Sequence, residues 1–249
     1  MSALVLGLSI LVGVALGLLG GGGSILTVPI LLYGAGLEEK AAIATSLLVV
    51  GVTSAFAAIA HARRGNVRWG RGLLFAAGGM AGAFGGGLVA KFIPGGILLV
   101  LFALMMLATA VAMWRGRKAP AEGHGHGGKL PVVKILTEGL VVGVVTGLVG
   151  AGGGFLVVPA LVLLGGLSMQ EAVGTSLIVI ALKSAAGFAG YLEHVQVDWA
   201  LAFGVTAAAV VGSFGGALLA HRIPAEKLRK GFAGFVVVMA IFMLVKQVV

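Results

Sequence analysis

One lysine and two glycine-rich stretches are the residues of this sequence whose types and spacing could do chemistry. Lys183 stands near the middle of an apolar run over 169–191, with no other charge within several positions. A lysine at bilayer depth costs at least about 2.5 kcal/mol and by default marks a functional site. It could pair with an anion, or exchange a proton and so couple solute movement to a proton gradient. The alternative, a side chain that snorkels to the headgroups, fits poorly so far from either end of the run.

The two glycine-rich stretches interrupt apolar sequence at matching places. Gly20-Gly21-Gly22-Gly23 is followed by Pro29, and Gly150-Ala151-Gly152-Gly153-Gly154 is followed by Pro159, at an offset of 130 residues. Each glycine costs a helix about 1 kcal/mol relative to alanine, and a proline in its interior about 3 kcal/mol. We therefore expect a broken helix in each half, which is the pattern that points to the binding site of a transporter.

Glycine leaves main-chain amide groups open to a ligand. A helix that begins after each break, capped by Ser24 in the first half, would aim its positive end at the same place. This combination suits an anion. The predicted anion contacts are Gly21, Gly22, Gly23, Ser24, Gly152, Gly153 and Gly154. Close helix packing through small residues is the alternative, and it explains Gly85-Gly86-Gly87 better than four glycines before a proline.

Two hydroxyl pairs, Thr45-Ser46 and Thr175-Ser176, lie near the start of a long apolar run in each half. Their hydroxyl groups could donate to a bound oxyanion. They could equally bond to carbonyl groups of their own helix, a common role in membrane helices. Because the Thr-Ser pair recurs at the equivalent position of the second half, all four residues are included among the predicted substrate contacts.

Composition places these residues in a membrane. Of the 249 residues, 59% are hydrophobic and 10% charged, with a mean hydropathy of +1.15, whereas soluble domains have about 25% charged residues. The runs are continuously apolar, which predicts an all-α polytopic membrane protein. The first run, 3–19, follows no basic segment and is expected to be a retained membrane segment. The absence of cysteine excludes disulfides and thiolate sites.

The chain reads as two repeats, 1–114 and 132–249, joined by a polar linker over 115–131. Between 17–47 and 147–177, 15 of 31 positions are identical, which indicates an internal duplication. The predicted apolar segments are 3–19, 24–35, 39–61, 69–91 and 97–114, then 132–149, 155–164, 169–191, 197–220 and 229–248. The segments 24–35 and 155–164 are short for a full crossing, and whether they cross or return stays open.

The linker holds His124 and His126, which could bind a metal weakly. No third ligand accompanies them, and a plain linker is the better interpretation.

The charges indicate how the repeats are oriented. The net charge is +9, and 13 of 17 Lys and Arg residues fall in 63–71, 115–134 and 222–230. Basic residues between membrane segments serve as orientation signals, so they do not point to nucleic acid. An odd number of crossings in each half puts all three clusters on one side, leaving Lys40, Lys91 and Lys246 opposite. We therefore expect inverted repeats and both termini outside the cytoplasm. Arg63 and Arg64 are interpreted as topology signals, and Glu193 and His194 are expected to face water.

No Asp, Glu or His lies deep in a long apolar run, so a general base or a metal site is hard to build there. The sequence predicts no catalytic residue, no metal and no cofactor.

The repeated motifs resemble those of the TauE/SafE family of sulfite exporters. The motifs are Leu26-Thr27-Val28-Pro29 and Ala42-Ile43-Ala44-Thr45-Ser46-Leu47, with Leu156-Val157-Val158-Pro159 and Ala172-Val173-Gly174-Thr175-Ser176-Leu177 in the second half. The resemblance implies a bacterial or archaeal plasma-membrane permease that exports sulfite or organosulfonates. Lys183 lies outside these motifs, so its role is argued from physical chemistry alone.

These observations together predict a secondary transporter that works by alternating access, with protons as a possible coupling ion. A passive anion channel built from the same segments is the alternative. The sequence leaves the exact anion, the coupling ion and the oligomeric state open.

Overall fold

The computed structural model of the chain describes residues 3–19, 24–115, 132–149, 154–163, 165–219 and 223–248. Helices make up nearly all of these ranges, and no strand occurs within them. In lipid a helix satisfies all of its interior backbone groups within one segment, and the prediction of an all-α protein is confirmed. The α-helices are α1 Ala3–Leu19, α2 Ser24–Pro29, α3 Glu39–Ala62, α4 Trp69–Val89, α5 Gly95–Arg115, α6 Val132–Val149, α7 Gly154–Leu163, α8 Met169–Leu192, α9 Trp199–Leu219 and α10 Ala225–Val248.

Within the described ranges, four helices are long and apolar enough to cross a membrane: α3, α4 with the turn that follows it, α8 and α9. Shorter apolar stretches lie in α1, in 24–34, in α5 and in α10. Large apolar side chains cover the outside of the bundle, as Phe92, Val133 and Val211 show with exposed fractions of 76%, 75% and 69%. Such a surface suits lipid.

The short helix after the first glycine run changes its winding at Pro29. A π-helix follows over Ile30–Gly34, closed by a bond from the Ala35 amide to the Ile30 carbonyl at 3.0 Å. Proline has no amide hydrogen to donate. The second half closes its short helix α7 with an equivalent bond, from the Gly165 amide to the Ala160 carbonyl at 3.1 Å. The winding change was not predicted from the sequence.

Glycines in the left-handed region turn the chain after both short segments. Gly36 has φ +70° and Gly166 has φ +63°, a conformation that only glycine adopts without strain. The helices α3 and α8 begin three residues later.

The equivalent helices α3 and α8 pack against each other in antiparallel directions. A Cβ added at Gly51 would lie 3.2 Å from Cβ of Ser184, and one added at Gly187 would lie 3.6 Å from Leu47. From one contact to the next, the residue numbers rise in α3 while they fall in α8, so the two helices run antiparallel. Continued from the Gly51–Ser184 contact, this antiparallel register puts 52–53 of α3 opposite 182–183 of α8, and we call this level the crossing of the two helices.

The first helix of each half packs against the fourth helix of the other half. In both pairs, α1 with α9 and α6 with α4, glycines lie directly on the partner's backbone, so that an added Cβ would come within 3 Å of it. The contacts are Gly13 with Ala209, Gly17 with Ser213, Gly143 with Gly79, and Gly147 with Ala83. The numbers rise together, so both pairs run parallel. When every residue is replaced by its equivalent at the offset of 130, the contacts of α1 with α9 become the contacts of α6 with α4.

One end of the bundle carries the arginines of the loop between α3 and α4, and we call it the basic end. Nε of Arg68 donates to Glu171 in the first turn of α8 at 2.7 Å, and Arg71 donates to the Gly165 carbonyl at 2.6 Å. Arg64 donates to the Ala217 carbonyl, near the end of α9, at 2.9 Å. The opposite end holds the start of α3 and the end of α8.

Candidate functional site

Lys183 lies in the middle of α8, only 1% exposed. Its Nζ donates to Oγ1 of Thr146 on α6 at 2.9 Å, and its stem runs along α4, where a Cβ added at Gly79 would lie 3.7 Å from Cβ and Cδ of the lysine. No carboxylate pairs with Lys183 among the described residues. A buried ammonium group is normally paired, so this is the chemically unusual position of the described structure.

Three positions differ between the halves in a way that makes room for this lysine. Lys183, Thr146 and Gly79 correspond, at the offset of 130, to Thr53, Leu16 and Ala209. Lys183 therefore has a hydroxyl partner on its own half and a glycine of the first half beside its stem. At the equivalent positions, Thr53 is a short side chain, and Leu16 and Ala209 are both apolar. The residues around Lys183 differ from their equivalents in ways that suit a lysine, which favours a specific role for this side chain.

The predicted hydroxyl pairs have mixed surroundings. Oγ of Ser46 donates to the Ile43 carbonyl at 2.7 Å, and Oγ of Ser176 donates to the Val173 carbonyl at 2.8 Å. Both serines therefore bond to carbonyl groups of their own helices, which is the alternative to substrate contact that the sequence left open. Oγ1 of Thr175 accepts the Arg68 amide at 2.9 Å. Oγ1 of Thr45 is buried and has no hydrogen-bond partner among the described residues.

The structure does not bring the hydroxyl pairs together. Thr45 lies seven to eight residues before the crossing of α3 and α8, and Thr175 lies equally far before it on the antiparallel partner. At 1.5 Å per residue they stand about 22 Å apart along the helices. Lys183 lies at the crossing itself, between them.

Of the predicted glycine contacts, Gly21, Gly22, Gly23, Gly152 and Gly153 lie outside the described residues, as do His124 and His126 of the linker. Ser24 and Gly154, the first residues of α2 and α7, are both buried. The helices α2 and α7 contact each other, so the segments that follow the two glycine runs do meet.

Three buried hydroxyl groups on α3 and α8 were missed by sequence reasoning. Thr53, Ser54 and Ser184 are fully buried, and their oxygens have no hydrogen-bond partner in the part of the chain that the structure describes. Ser54 and Ser184 are equivalent at the offset of 130, which is the signal that could have found them. Thr146 was missed because its equivalent is a leucine, and a single threonine in an apolar run carries little information.

Side chains at equivalent positions bond the ends of α1 and α6. Nε2 of His61 lies 3.1 Å from the Gly17 carbonyl, and the hydroxyl of Tyr191 donates to the Leu148 carbonyl at 2.7 Å. Both carbonyls belong to the last turn of a helix, where they have no partner within the helix.

His194 differs from its prediction. Glu193 is exposed, as expected, but both ring nitrogens of His194 are buried without a hydrogen-bond partner within the described ranges. Its ring lies 5.4 Å from that of Tyr191. Burial lowers the pKa of His194 below 6.5, and the charges of Lys40 and Lys91 lower it further, while Glu193 acts in the opposite direction.

Comparison with known proteins places the chain among membrane transporters. The model of the family "Sulfite exporter TauE/SafE" matches residues 5–243. A probable membrane transporter protein of Xylella fastidiosa strain Temecula1 is 37% identical over 238 residues, covering 94% of this chain and 91% of the relative. The probable membrane transporter protein YdhB of Bacillus subtilis strain 168 is 27% identical over 221 residues, covering 88% and 90%. No solved structure matches the chain. The chain belongs to the TauE/SafE family of sulfite exporters, which is a family of membrane transporters.

Proposed function

We propose that this chain is a secondary transporter that exports a small sulfur oxyanion, sulfite or an organosulfonate, across the plasma membrane. The observation that carries the proposal is Lys183, a buried ammonium group whose described partner is the neutral Thr146. An anion beside it would supply the missing negative charge, and the burial of both charges would strengthen their attraction. The protein would move the anion without chemical conversion, and protons are the proposed coupling ion.

We also propose that the two halves are inverted repeats, related by a pseudo-two-fold axis in the membrane plane. The antiparallel packing of the equivalent helices α3 and α8 supports this, because equivalent helices of inverted repeats run in opposite directions. The matching glycine contacts of α1–α9 and α6–α4 support it as well. The repeats are taken as 1–114 and 132–249, joined by the linker over 115–131.

The charges support a cytoplasmic location for the basic end. Arg68 and Arg71 contact the start of α8 and the loop before it, so the basic loop of the first half and the start of α8 share one end. By the positive-inside tendency this end faces the cytoplasm. Both termini would then lie outside the cytoplasm.

The proposed anion site is centred on Lys183 and Thr146, at the depth where α3 and α8 cross. The predicted contacts with both glycine runs, Ser24 and Gly154 remain part of the proposal. The two hydroxyl pairs, about 22 Å apart along the helices, are too far apart to contact one small anion together. In alternating access, rocking of one half against the other would open this central site to each side in turn. The close glycine contacts between α1 and α9 and between α6 and α4 would form the sliding surfaces.

Purified protein in liposomes tests the proposal. Preloaded unlabelled sulfite should accelerate the uptake of external radiolabelled sulfite, because a carrier exchanges its substrate across the membrane. Empty liposomes are the control. Sulfite-dependent electrical conductance that does not saturate would support the passive channel instead. Absence of exchange for sulfite and for a panel of organosulfonates, in folded protein, would contradict the proposal.

A further inference from the structure

His61 and Tyr191 occupy the same position of the two halves and make the same kind of contact. The offset of 130 residues relates them. Each is the second-last residue of a long helix, since α3 ends at Ala62 and α8 ends at Leu192. His61 is 2% exposed and Tyr191 is fully buried. Each reaches a main-chain carbonyl of the helix that precedes a glycine run.

The two contacts satisfy acceptors that nothing else in their own helix can satisfy. The last four carbonyls of an α-helix have no partner within the helix. Gly17 is two residues from the end of α1, and Leu148 is one residue from the end of α6. An unsatisfied carbonyl buried away from water is costly. Each bond therefore favours the position in which the helix end lies against the end of α3 or α8.

The two contacts lie at opposite ends of the bundle. Because α3 and α8 are antiparallel, their last turns point in opposite directions. The His61 contact lies toward the basic end, where Arg63 and Arg64 follow directly in the chain. The Tyr191 contact lies toward the opposite end, beside His194.

We propose that these contacts are two latches, one for each side of the membrane, that position the ends of α1 and α6 and open one at a time during transport. This inference rests on the proposed alternating access. His61 and Tyr191 are positioning residues in it, since they act through helix ends and do not touch the substrate. Release of the Tyr191 latch opens the path to the outside, and release of the His61 latch opens the path to the cytoplasm.

The absence of cysteine from the chain makes the test direct, because a single introduced cysteine is a unique reporter. Leu18→Cys on α1 and Leu148→Cys on α6 are matched reporters at equivalent positions, both partly buried. A membrane-impermeant maleimide, added to right-side-out or inside-out vesicles, reports how often each helix end is open to each side. Substitution of the Leu148 side chain leaves its carbonyl in place.

Tyr191→Phe removes one hydroxyl group and keeps the ring. It should raise the labelling rate of Leu148→Cys from the outside about fivefold, the effect of one hydrogen bond, and leave Leu18→Cys unchanged. His61→Phe should raise the labelling of Leu18→Cys from the cytoplasmic side and leave Leu148→Cys unchanged. His61→Gln, which keeps a side-chain donor, should label at the original rate.

Equal effects of either variant on both reporters, or no effect on either, would overturn the latch proposal. Size-exclusion profiles and thermal stability identify a variant that has merely misfolded. If His61→Phe misfolds, Tyr191→Phe, which removes only a hydroxyl group, decides the test. The labelling needs no substrate, so its result does not depend on whether sulfite is the transported anion. Conversely, if the latch proposal is wrong, sulfite exchange by the unaltered protein is unaffected.

Discussion

Lys183 on α8 donates to Thr146 on α6 across the interior of the second half, with 2.9 Å between Nζ and Oγ1. Thr146 in turn donates to the Gly143 carbonyl at 3.2 Å. Its hydroxyl hydrogen is thereby directed away from the lysine, and an oxygen lone pair faces the ammonium group. This pair of hydrogen bonds orients the amino group of Lys183. Thr146 is neutral, so the protonated form of Lys183 keeps a positive charge that an anion can pair with.

Thr146→Val should weaken substrate binding. The valine keeps the shape of the side chain but loses the acceptor, so Lys183 is left without its oriented partner. Loss of a hydrogen bond to a charged group is worth about 1.5–3 kcal/mol, and we expect the apparent KM for sulfite to rise at least about tenfold. Initial rates in proteoliposomes measure it. Thr137→Val, on the exposed face of the same helix, is the matched control, and an equal effect of both substitutions would argue against a role for Thr146.

The glycines between α6 and α4 should be intolerant of a methyl group. A Cβ at Gly143 would lie 2.3 Å from the Gly79 carbonyl oxygen, so Gly143→Ala must push the helices apart. We expect a loss of about 1–3 kcal/mol, seen as a lower melting temperature in detergent. A Cβ added at Gly7 on α1 would have no described atom within 4 Å, so Gly7→Ala should be neutral or stabilising. Similar melting temperatures for both variants would contradict the packing.

Cross-linking tests the inverted arrangement. The paired substitutions Gly51→Cys and Ser184→Cys place two Cβ atoms about as close as a disulfide needs, with 3.2 Å between the Cβ positions. They should form a disulfide under mild oxidation. Thr45→Cys with Thr175→Cys is the control, because these equivalent positions would be neighbours only if α3 and α8 ran parallel. A cross-link in the control pair, and none in the first, would refute the inversion.

His194 should make the fold sensitive to mild acid. Its pKa in the fold lies below the ordinary 6.5 because of burial and the charges of Lys40 and Lys91, opposed by Glu193. The stability that it contributes is therefore complete above pH 6.5 and is lost as the pH falls through the lowered pKa, since the unfolded chain takes up the proton first. Melting temperatures between pH 7.5 and 5 should fall less steeply in His194→Gln. An unchanged slope would exclude His194 as the source.

Much of the fold could be predicted because lipid restricts the chain to helices, and helix ends follow glycine and proline. The segment predicted over 69–91 is Trp69–Val89 plus one further turn. The last helix begins at Ala225, four residues before the predicted start. The charged residues before 229 resemble a loop, yet they suit the first turns of a helix that begins directly after Pro224.

The candidate site was harder to predict, because its contacts depend on which helices become neighbours. Lys183 could be found from its cost in lipid. Its partner Thr146 lies 37 residues earlier in the chain, and no local pattern connects the two. In each latch the hydrogen-bond acceptor is a backbone carbonyl, a group that every residue has. Only the three-dimensional structure therefore distinguishes Gly17 and Leu148 from their neighbours.

Sulfite flux in proteoliposomes, compared between the unaltered protein and Lys183→Ala with and without a pH gradient, tests the central claim most directly. Lys230→Ala, at an exposed ion pair on α10, is the control for loss of one positive charge. We predict flux that responds to the gradient in the unaltered protein and in Lys230→Ala, and that collapses in Lys183→Ala. Gradient-driven flux that persists at the original rate in folded Lys183→Ala would contradict the claim that this lysine is the centre of the anion site.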